Sequence, residues 1–492
     1  MTYKPTIGME VHIQPKTKSK MFCRCPNKFE IEKPNKNICE VCTGHPGTLP
    51  TVNRKAVEAI IKAGLALNCT INKKVHWDRK HYSYPDLPKG YQITQNEKPF
   101  CIKGFLEFEY EDKTGKQKTK KVAINRLHLE EDAGKDLHPP GANYSLVDYN
   151  RAGAPLIELV TEPIIENKEQ AVAFCKNLQK IFRYIKVSQA DMEKGQMRCE
   201  ANISLSKNGK LGTKVEIKNI NSFKGVFKGI EYEIERQTKL LDAGEQVKQE
   251  TRGWDAKKQI TVFQRSKEES QDYRYFPEPD IPPVNVTEKL LQKIKSSIPE
   301  LPIQKERRFK KDFSLSSKTA HLFADNLFMA HYFEKVVSEI ENWAKSVSQE
   351  KKVIELIQLA SNYLATELFR MVKEKKQNFS KLKITPENFA ELILIIHKGE
   401  INSSAAQIVI QTMFENGGDP SQIIEDKNLK LEKDTGILEQ AISNAVQKNP
   451  SAVTDFKAGK QQALQFLVGQ VMAETKGKAD PKIVIDMLKK KL

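Results

Sequence analysis

Three short segments alternate apolar and polar residues with strict period two, and nothing else in the chain restricts its fold as much. In "IGMEVHI", Met9, Val11 and Ile13 fall on one side, and Gly8, Glu10 and His12 on the other. "RCEANISLS" sets Cys199, Ala201, Ile203 and Leu205 against Arg198, Glu200, Asn202 and Ser204. "TKVEIKN" gathers Lys214, Glu216 and Lys218. Successive side chains of a strand point to opposite faces, so each segment predicts a strand with one buried face. The other face repeatedly presents acids, bases and amides. Side by side, such strands make a concave, cradle-like polar floor, which assigns residues 1–290 to an antiparallel α+β domain.

A helix interrupts this half near "NKEQAVAFCKNLQKIFRYI", where Ala171, Phe174, Leu178 and Ile181 share a face. The proline-rich "YFPEPDIPPVNV" predicts the end of the domain. Beyond it the period becomes helical: Val353, Ile357, Ala360, Leu364 and Leu368 are spaced by threes and fours, and Thr385-Pro386 starts a helix that Gly399 stops. Residues 291–405 are expected to form an all-α domain, and 406–492 an all-α tail. A chain of 492 residues exceeds one hydrophobic core, which agrees with several domains. The 39% hydrophobic and 29% charged content excludes a disordered chain. No apolar run approaches the roughly 20 residues of a membrane span. "MTYKPTIGMEVHI" lacks a signal-peptide core, so a cytoplasmic location is expected. Lysine and arginine exceed aspartate and glutamate by 80 to 63. That excess fits a polyanionic partner, and equally a lysine-rich composition.

Cys23, Cys25, Cys39 and Cys42 form C-x-C and C-x2-C pairs with thirteen residues between them. Two close pairs suit a tetrahedral, structural Zn²⁺, with reduced thiols the alternative. Cys69, Cys101, Cys175 and Cys199 lack such spacing and read as core residues. "RLHLEEDAGK" sets Glu130, Glu131 and Asp132 side by side, a density that either water on a turn or a cation makes tolerable. With Glu10 and His12 they would suit Mg²⁺; a solvated strand face is the competing reading. "RKHYSYPDLPKGYQIT" interleaves Arg79, Lys80 and Lys89 with tyrosines, as phosphate- and base-binding loops do and as surface loops also do. There is no G-x-x-x-x-G-K-[ST] and no G-x-S-x-G, so neither a P-loop nor that hydrolase nucleophile is present.

"IGMEVHIQ", "YPDLPKGYQI", "RLHLEEDAGK", "VDYNRAGAPLIELVTEP", "RCEANIS", "KNINSF", "QETRGWD" and "DYRYFPEPDIPP" occur in order and together resemble the B subunit of the glutamyl/aspartyl-tRNA(Gln/Asn) amidotransferase. The likeness is densest over residues 6–284 and returns in "GKQQALQFLVGQVMAETKGKADP". It implies an ATP- and Mg²⁺-dependent ligase. That enzyme phosphorylates the side-chain carboxylate of Glu-tRNA(Gln), or of Asp-tRNA(Asn), and displaces the phosphate with ammonia. An amidase A subunit would supply the ammonia, and a small C subunit would complete the complex. On matching positions the resemblance implies Glu10, His12, Glu130 and Glu131 as catalytic metal ligands, with Glu216 less firmly placed. Lys89, Arg198 and Asn202 would touch nucleotide or substrate, and Lys457, Lys460, Lys476 and Lys478 would touch tRNA. A noncatalytic tRNA-binding scaffold is the alternative. A synthetase is disfavoured, because neither H-I-G-H nor K-M-S-K-S occurs.

Overall fold

The computed structural model describes residues 3–28, 33–207, 210–266, 272–431, 435–475 and 477–492. It falls into two compact units, Met1–Ile303 and Gln304–Leu492. In the first, the alternating segments are strands. The chain runs through β1 (Lys4–Ile13), α1 (Arg54–Ala66), β2 (Thr70–Ile71), β3 (Lys74–Val75), β4 (Asp78–His81) and β5 (Tyr91–Thr94). A long hairpin, β6 (Cys101–Glu111) and β7 (Gln117–Glu131), precedes a small one, β8 (Lys135–Leu137) and β9 (Leu146–Asp148). Next come β10 (Pro155–Thr161), α2 (Lys168–Tyr184), β11 (Met197–Ser206), β12 (Val215–Ile220) and α3 (Phe223–Asp242). The unit closes with β13 (Glu250–Asp255), β14 (Ile260–Ser266), β15 (Phe276–Pro277), β16 (Val284–Asn285) and α4 (Glu288–Lys295).

Nine strands form one sheet in the order β14-β13-β12-β11-β1-β10-β7-β6-β2. All its pairings are antiparallel except β12 with β13, which needs a crossover that α3 provides. Ile7, Met9, Val11 and Ile13 of β1 are buried with Cys199, Ala201, Ile203 and Leu205 of β11. Helices α1, α2 and α3 pack against strands of this sheet. On α2 the stripe Ala171, Phe174, Leu178 and Ile181 is buried as its spacing predicts, and Asn167 caps the helix by accepting from Gln170 N. Phe174 meets Phe108 edge-on, with ring centroids 6.2 Å apart. The four cysteines outside the quartet lie in this core.

The proline-rich segment is not the boundary. Phe276–Pro277 pairs with β4, Val284–Asn285 pairs with β3, and Ile281, Val286 and Ile294 are buried in the first core. Residues before proline favour extended backbone, which suits short strands as well as linkers. The division comes later, between 303 and 304.

The second unit is helical. Helix Pro386–His397 starts at Thr385, whose side chain accepts from Asn388 N, and Gly399 follows it at φ 64°. Ile357, Ala360, Leu364 and Leu368 are fully buried, and the last two sit in a π-helical turn, Leu364–Leu368. Among the described residues the unit has two cores, one between Phe309 and Ile424 and the other between Leu438 and Leu488. The expected division at 405/406 therefore falls inside helix Ser403–Asn416, whose Ala405, Ala406, Val409 and Ile410 belong to the earlier core. Among the described residues, no helix is long and apolar enough to cross a membrane.

Phe174 anchors α2 on the sheet, so Phe174→Ala should cost about 3–5 kcal/mol of stability. Urea unfolding of the two proteins measures the difference.

Candidate active site on the polar sheet face

Antiparallel register sets ionisable side chains opposite one another. His128 on β7, Glu158 on β10, His12 on β1 and Arg198 on β11 form one row across four strands. Glu10 faces Glu200 in the next row, and Asn202 faces Glu216 beyond it. Like charges directly opposed are destabilising on a sheet. Lys218 relieves part of this, with its Nζ 2.8 Å from Glu200 and 3.6 Å from Glu216. Thr251 Oγ1 donates to Glu216 at 2.8 Å.

Glu158 is the hub of the first row. Its Oε2 lies 3.3 Å from His12 Nε2 and 3.1 Å from His128 Nε2. Glu130 approaches the same two nitrogens at 3.7 and 3.4 Å and accepts from Thr94 Oγ1 at 2.8 Å. Burial opposes charge on both imidazoles, yet the adjoining Glu158 and Glu130 carboxylates outweigh it and push each up to about 9. Burial would also raise Glu158, but the two histidines hold it well below the usual carboxylate range. Glu10 goes the other way: burial, reinforced by Glu158 and Glu200, pushes it up to about 7. Three overlapping groups bring donor atoms within 4.8 Å of one another: Glu10, His12 and Glu158; His128, Glu130 and Glu158; Glu10, Glu200 and Glu216. The third group is all carboxylate, the donor chemistry that a hard cation takes. Nδ1 of His12, Nδ1 of His128 and Oδ1 of Asn202 are buried without a hydrogen-bond partner among the described residues, so the floor has polar valences that a ligand would satisfy.

The three consecutive acids do not act together. Alternation along β7 parts Glu131 from Glu130. The Glu131 carboxylate pairs with the Lys89 ammonium and accepts from Ile93 N at 3.0 Å. Among the described residues Glu131 joins none of the three donor groups, and Lys89 serves it as a counter-ion. Both line a cavity of about 220 Å³ that also exposes Cys23 and Cys42. Asp132, read from the sequence with its two acidic neighbours as suiting a cation, is buried and accepts from Arg151 Nε at 2.5 Å and Arg198 Nη2 at 3.1 Å. Burial would raise its carboxyl, but the two guanidinium groups hold it well below the ordinary range. Arg198 is thus tied to Asp132.

The cysteine loop folds its four sulfurs to within 4.8 Å of one another, with Cys39 and Cys42 Sγ 3.9 Å apart. A tetrahedral ion with bonds of about 2.3 Å would hold its sulfurs about 3.8 Å apart, so the quartet could hold a metal such as zinc. A hydrogen bond from Cys23, aided by Cys39 N and by the charge of Lys20, outweighs burial and brings Cys42 down to about 5. Lys20 itself is wholly buried: its Nζ donates to Asn37 O at 2.8 Å and Tyr149 O at 3.4 Å and lies 3.6 Å from Cys42 Sγ.

Residues 5–292 match the family model described as GatB/GatE catalytic domain, and residues 331–492 match the GatB domain. The chain is 45% identical to the B subunit of the aspartyl/glutamyl-tRNA(Asn/Gln) amidotransferase of Thermotoga maritima, over all of this chain and 99% of that protein. This chain belongs to the amidotransferase B-subunit family. The B subunits of Persephonella marina and Brachyspira hyodysenteriae are each 44% identical over the whole of this chain and are covered over 100% and 99% of their own lengths.

For this B-subunit family member, Glu10, His12, Glu130, Arg198, Asn202 and Glu216 come together on one sheet face, while Lys89 and Glu131 pair beside the cysteine loop. Sequence reasoning placed Glu200 and Lys218 on the polar faces without giving them a role, and it missed Glu158 and His128 as members of the floor. The signal was available: "RLHLE" and "LIELV" also alternate, setting His128 and Glu130, and then Glu158, opposite buried leucines and isoleucine. In the tail, Lys457 and Lys460 are exposed, and Lys460 pairs with Asp455 at 2.9 Å. Lys478 is half-buried, and Lys476 lies outside the described residues.

Asp132→Asn removes the charge that balances two guanidinium groups. It should cost about 3 kcal/mol, the low end of the range for a broken buried pair because both arginines keep some solvent. Calorimetric melting of the variant against the parent checks this value.

Proposed function

We propose that this chain is the ATP-using B subunit that amidates misacylated tRNA. The substrate is Glu-tRNA(Gln), and Asp-tRNA(Asn) where the cell makes it. A side-chain carboxylate oxygen attacks the γ-phosphorus of ATP and ADP leaves. Ammonia then attacks the acyl carbon, loses a proton and displaces phosphate, which leaves the amide. A carboxylate has no good leaving group, which is the chemical reason for phosphorylating it first. The observation that carries this reading is the convergence of Glu10, Glu158, Glu130, Glu200 and Glu216 on one sheet face in a chain of this family.

Glu10, Glu200 and Glu216, with Glu158 and Glu130 from the adjoining row, are the donors that would hold Mg²⁺. Bound there, the ion supplies charge neutralisation to the phosphoryl oxygens. His12 and His128 fix Glu158 from either side, and Arg198, oriented by Asp132, faces the same row. The sequence carries no recognisable hydrolase nucleophile, so ammonia would come from a partner amidase, the A subunit, with a small C subunit completing a cytoplasmic heterotrimer. The four cysteines would hold a structural Zn²⁺, because four thiolates leave no open coordination position. The exposed lysines of the tail would meet tRNA phosphates.

In a complex reconstituted with both partner subunits and Glu-tRNA(Gln), Glu10→Gln should lower ATP-dependent amidation by about 10²–10³-fold and leave tRNA binding unchanged, since it removes one charge that acts in the transition state. Unchanged amidation by that variant would favour the scaffold alternative. Metal analysis of the purified chain should find about one zinc per chain. Cys42→Ser should abolish it and lower the melting temperature.

A further inference from the structure

The cations around the floor divide by what they already hold. Arg198 is bound to Asp132, Lys89 to Glu131, and Lys218 to Glu200 and Glu216. Arg126 and Lys80 differ. Arg126 lies on β7 at the same-face positions as His128 and Glu130, and it is separated from Glu10 by Val160 alone in the strand register. Its Nε is buried with no hydrogen-bond partner, and no carboxylate pairs with its guanidinium among the described residues. Lys80, on β4, rests its ammonium over the rings of Tyr273 and Tyr82 at 4.8 and 5.7 Å, with no ion pair among the described residues. Burial works against charge on Lys80, but the nearby Glu130, Tyr275 and Glu158 outweigh it, so the ammonium stays charged next to the floor.

We infer that Arg126 and Lys80, rather than the Lys89 and Arg198 expected from the sequence, are the residues that bind the phosphate oxygens of the nucleoside triphosphate. The inference rests on the ATP-using reading of this site. A guanidinium with an unsatisfied buried donor is costly until an anion arrives, and its planar fork suits two phosphoryl oxygens at once. Lys80 acts as a point charge held by aromatic faces instead of by a carboxylate, so no internal pair has to break when a phosphate binds. Glu130, near the Lys80 ammonium, stands four positions along β7 from Arg126, about 13 Å of strand, so the two cations reach the floor at different points. Glu10, one of the carboxylates that would hold the metal, lies two strands from Arg126 in the same row. An unpaired guanidinium for the polyphosphate thus shares the sheet face with the acids for the cation, and the Lys80 ammonium, from a separate sheet, lies near Glu130 and Glu158.

Two readouts on the reconstituted complex separate this inference from the reading beneath it. ADP formation that depends on Glu-tRNA(Gln) reports the phosphorylation. Calorimetric binding of Mg²⁺ with a non-hydrolysable ATP analogue reports the anion site. Arg126→Ala and Lys80→Met should each weaken analogue binding at least tenfold and raise the KM for ATP, while melting temperature and tRNA affinity stay as in the parent. Arg126→Lys should restore part of the loss. Analogue affinity within twofold of the parent in either folded variant would overturn the assignment, and so would a parent complex that binds no analogue. A parent that binds the analogue but forms no ADP defeats the phosphorylation reading and leaves the assignment to be decided by the binding data alone.

Discussion

The first unit depends on one constraint, the short distance between opposed side chains on neighbouring antiparallel strands. Residues facing each other across such a pair have Cβ atoms about 4.5–5.5 Å apart. A strand sequence that puts an acid or base on every second position therefore forces ionisable groups into contact as soon as the sheet forms. Here the forced contacts are His128 with Glu158, Glu158 with His12, His12 with Arg198, and Glu10 with Glu200. The first two join opposite charges, and the third sets two cations opposite each other, His12 balanced by Glu158 and Arg198 by Asp132. The last joins two acids, and the Lys218 ammonium, 2.8 Å from Glu200, makes it tolerable. The same closeness that threatens the fold prepares the site, because a cation is the simplest relief for three carboxylates that can approach within 4.8 Å.

That constraint also decides what sequence could reveal. Period two is a property of the chain alone, so β1, β11 and β12 and the polarity of their outer faces were legible. So were the α2 stripe, the capped helix Pro386–His397 and the cysteine quartet, all of which depend on local spacing. Neighbourhood across strands was not. Glu130, Glu131 and Asp132 are adjacent in the chain, yet they meet His128 and His12, Lys89, and Arg151 with Arg198 respectively. Adjacent strand residues face apart, and the strand end at Glu131 frees Asp132 to take a third direction. Prolines misled for a related reason: they exclude helix without excluding a short paired strand, and β15 and β16 are such strands.

The cysteine loop enters the same network through a buried lysine. Lys20 binds Asn37 O and Tyr149 O while its charge faces Cys42 Sγ. Asn37 N donates to Asn150 Oδ1 at 2.8 Å, and the Asn150 amide donates back to Lys33 O at 3.0 Å. The next residue, Arg151, holds Asp132, and Asp132 holds Arg198 in the row that carries His12. Each link has a buried side chain on at least one side (Lys20, Asn37, Asn150 or Asp132), so water is not an easy substitute. A wholly buried ammonium is unfavourable in an apolar interior. Beside four thiols that can become thiolates it is a counter-charge, and it fixes the loop to the turn that orients Arg151. The distance between the cysteines and the sheet face therefore does not separate them physically. Closing the cysteine loop and setting Arg198 on the floor are two ends of one chain of contacts.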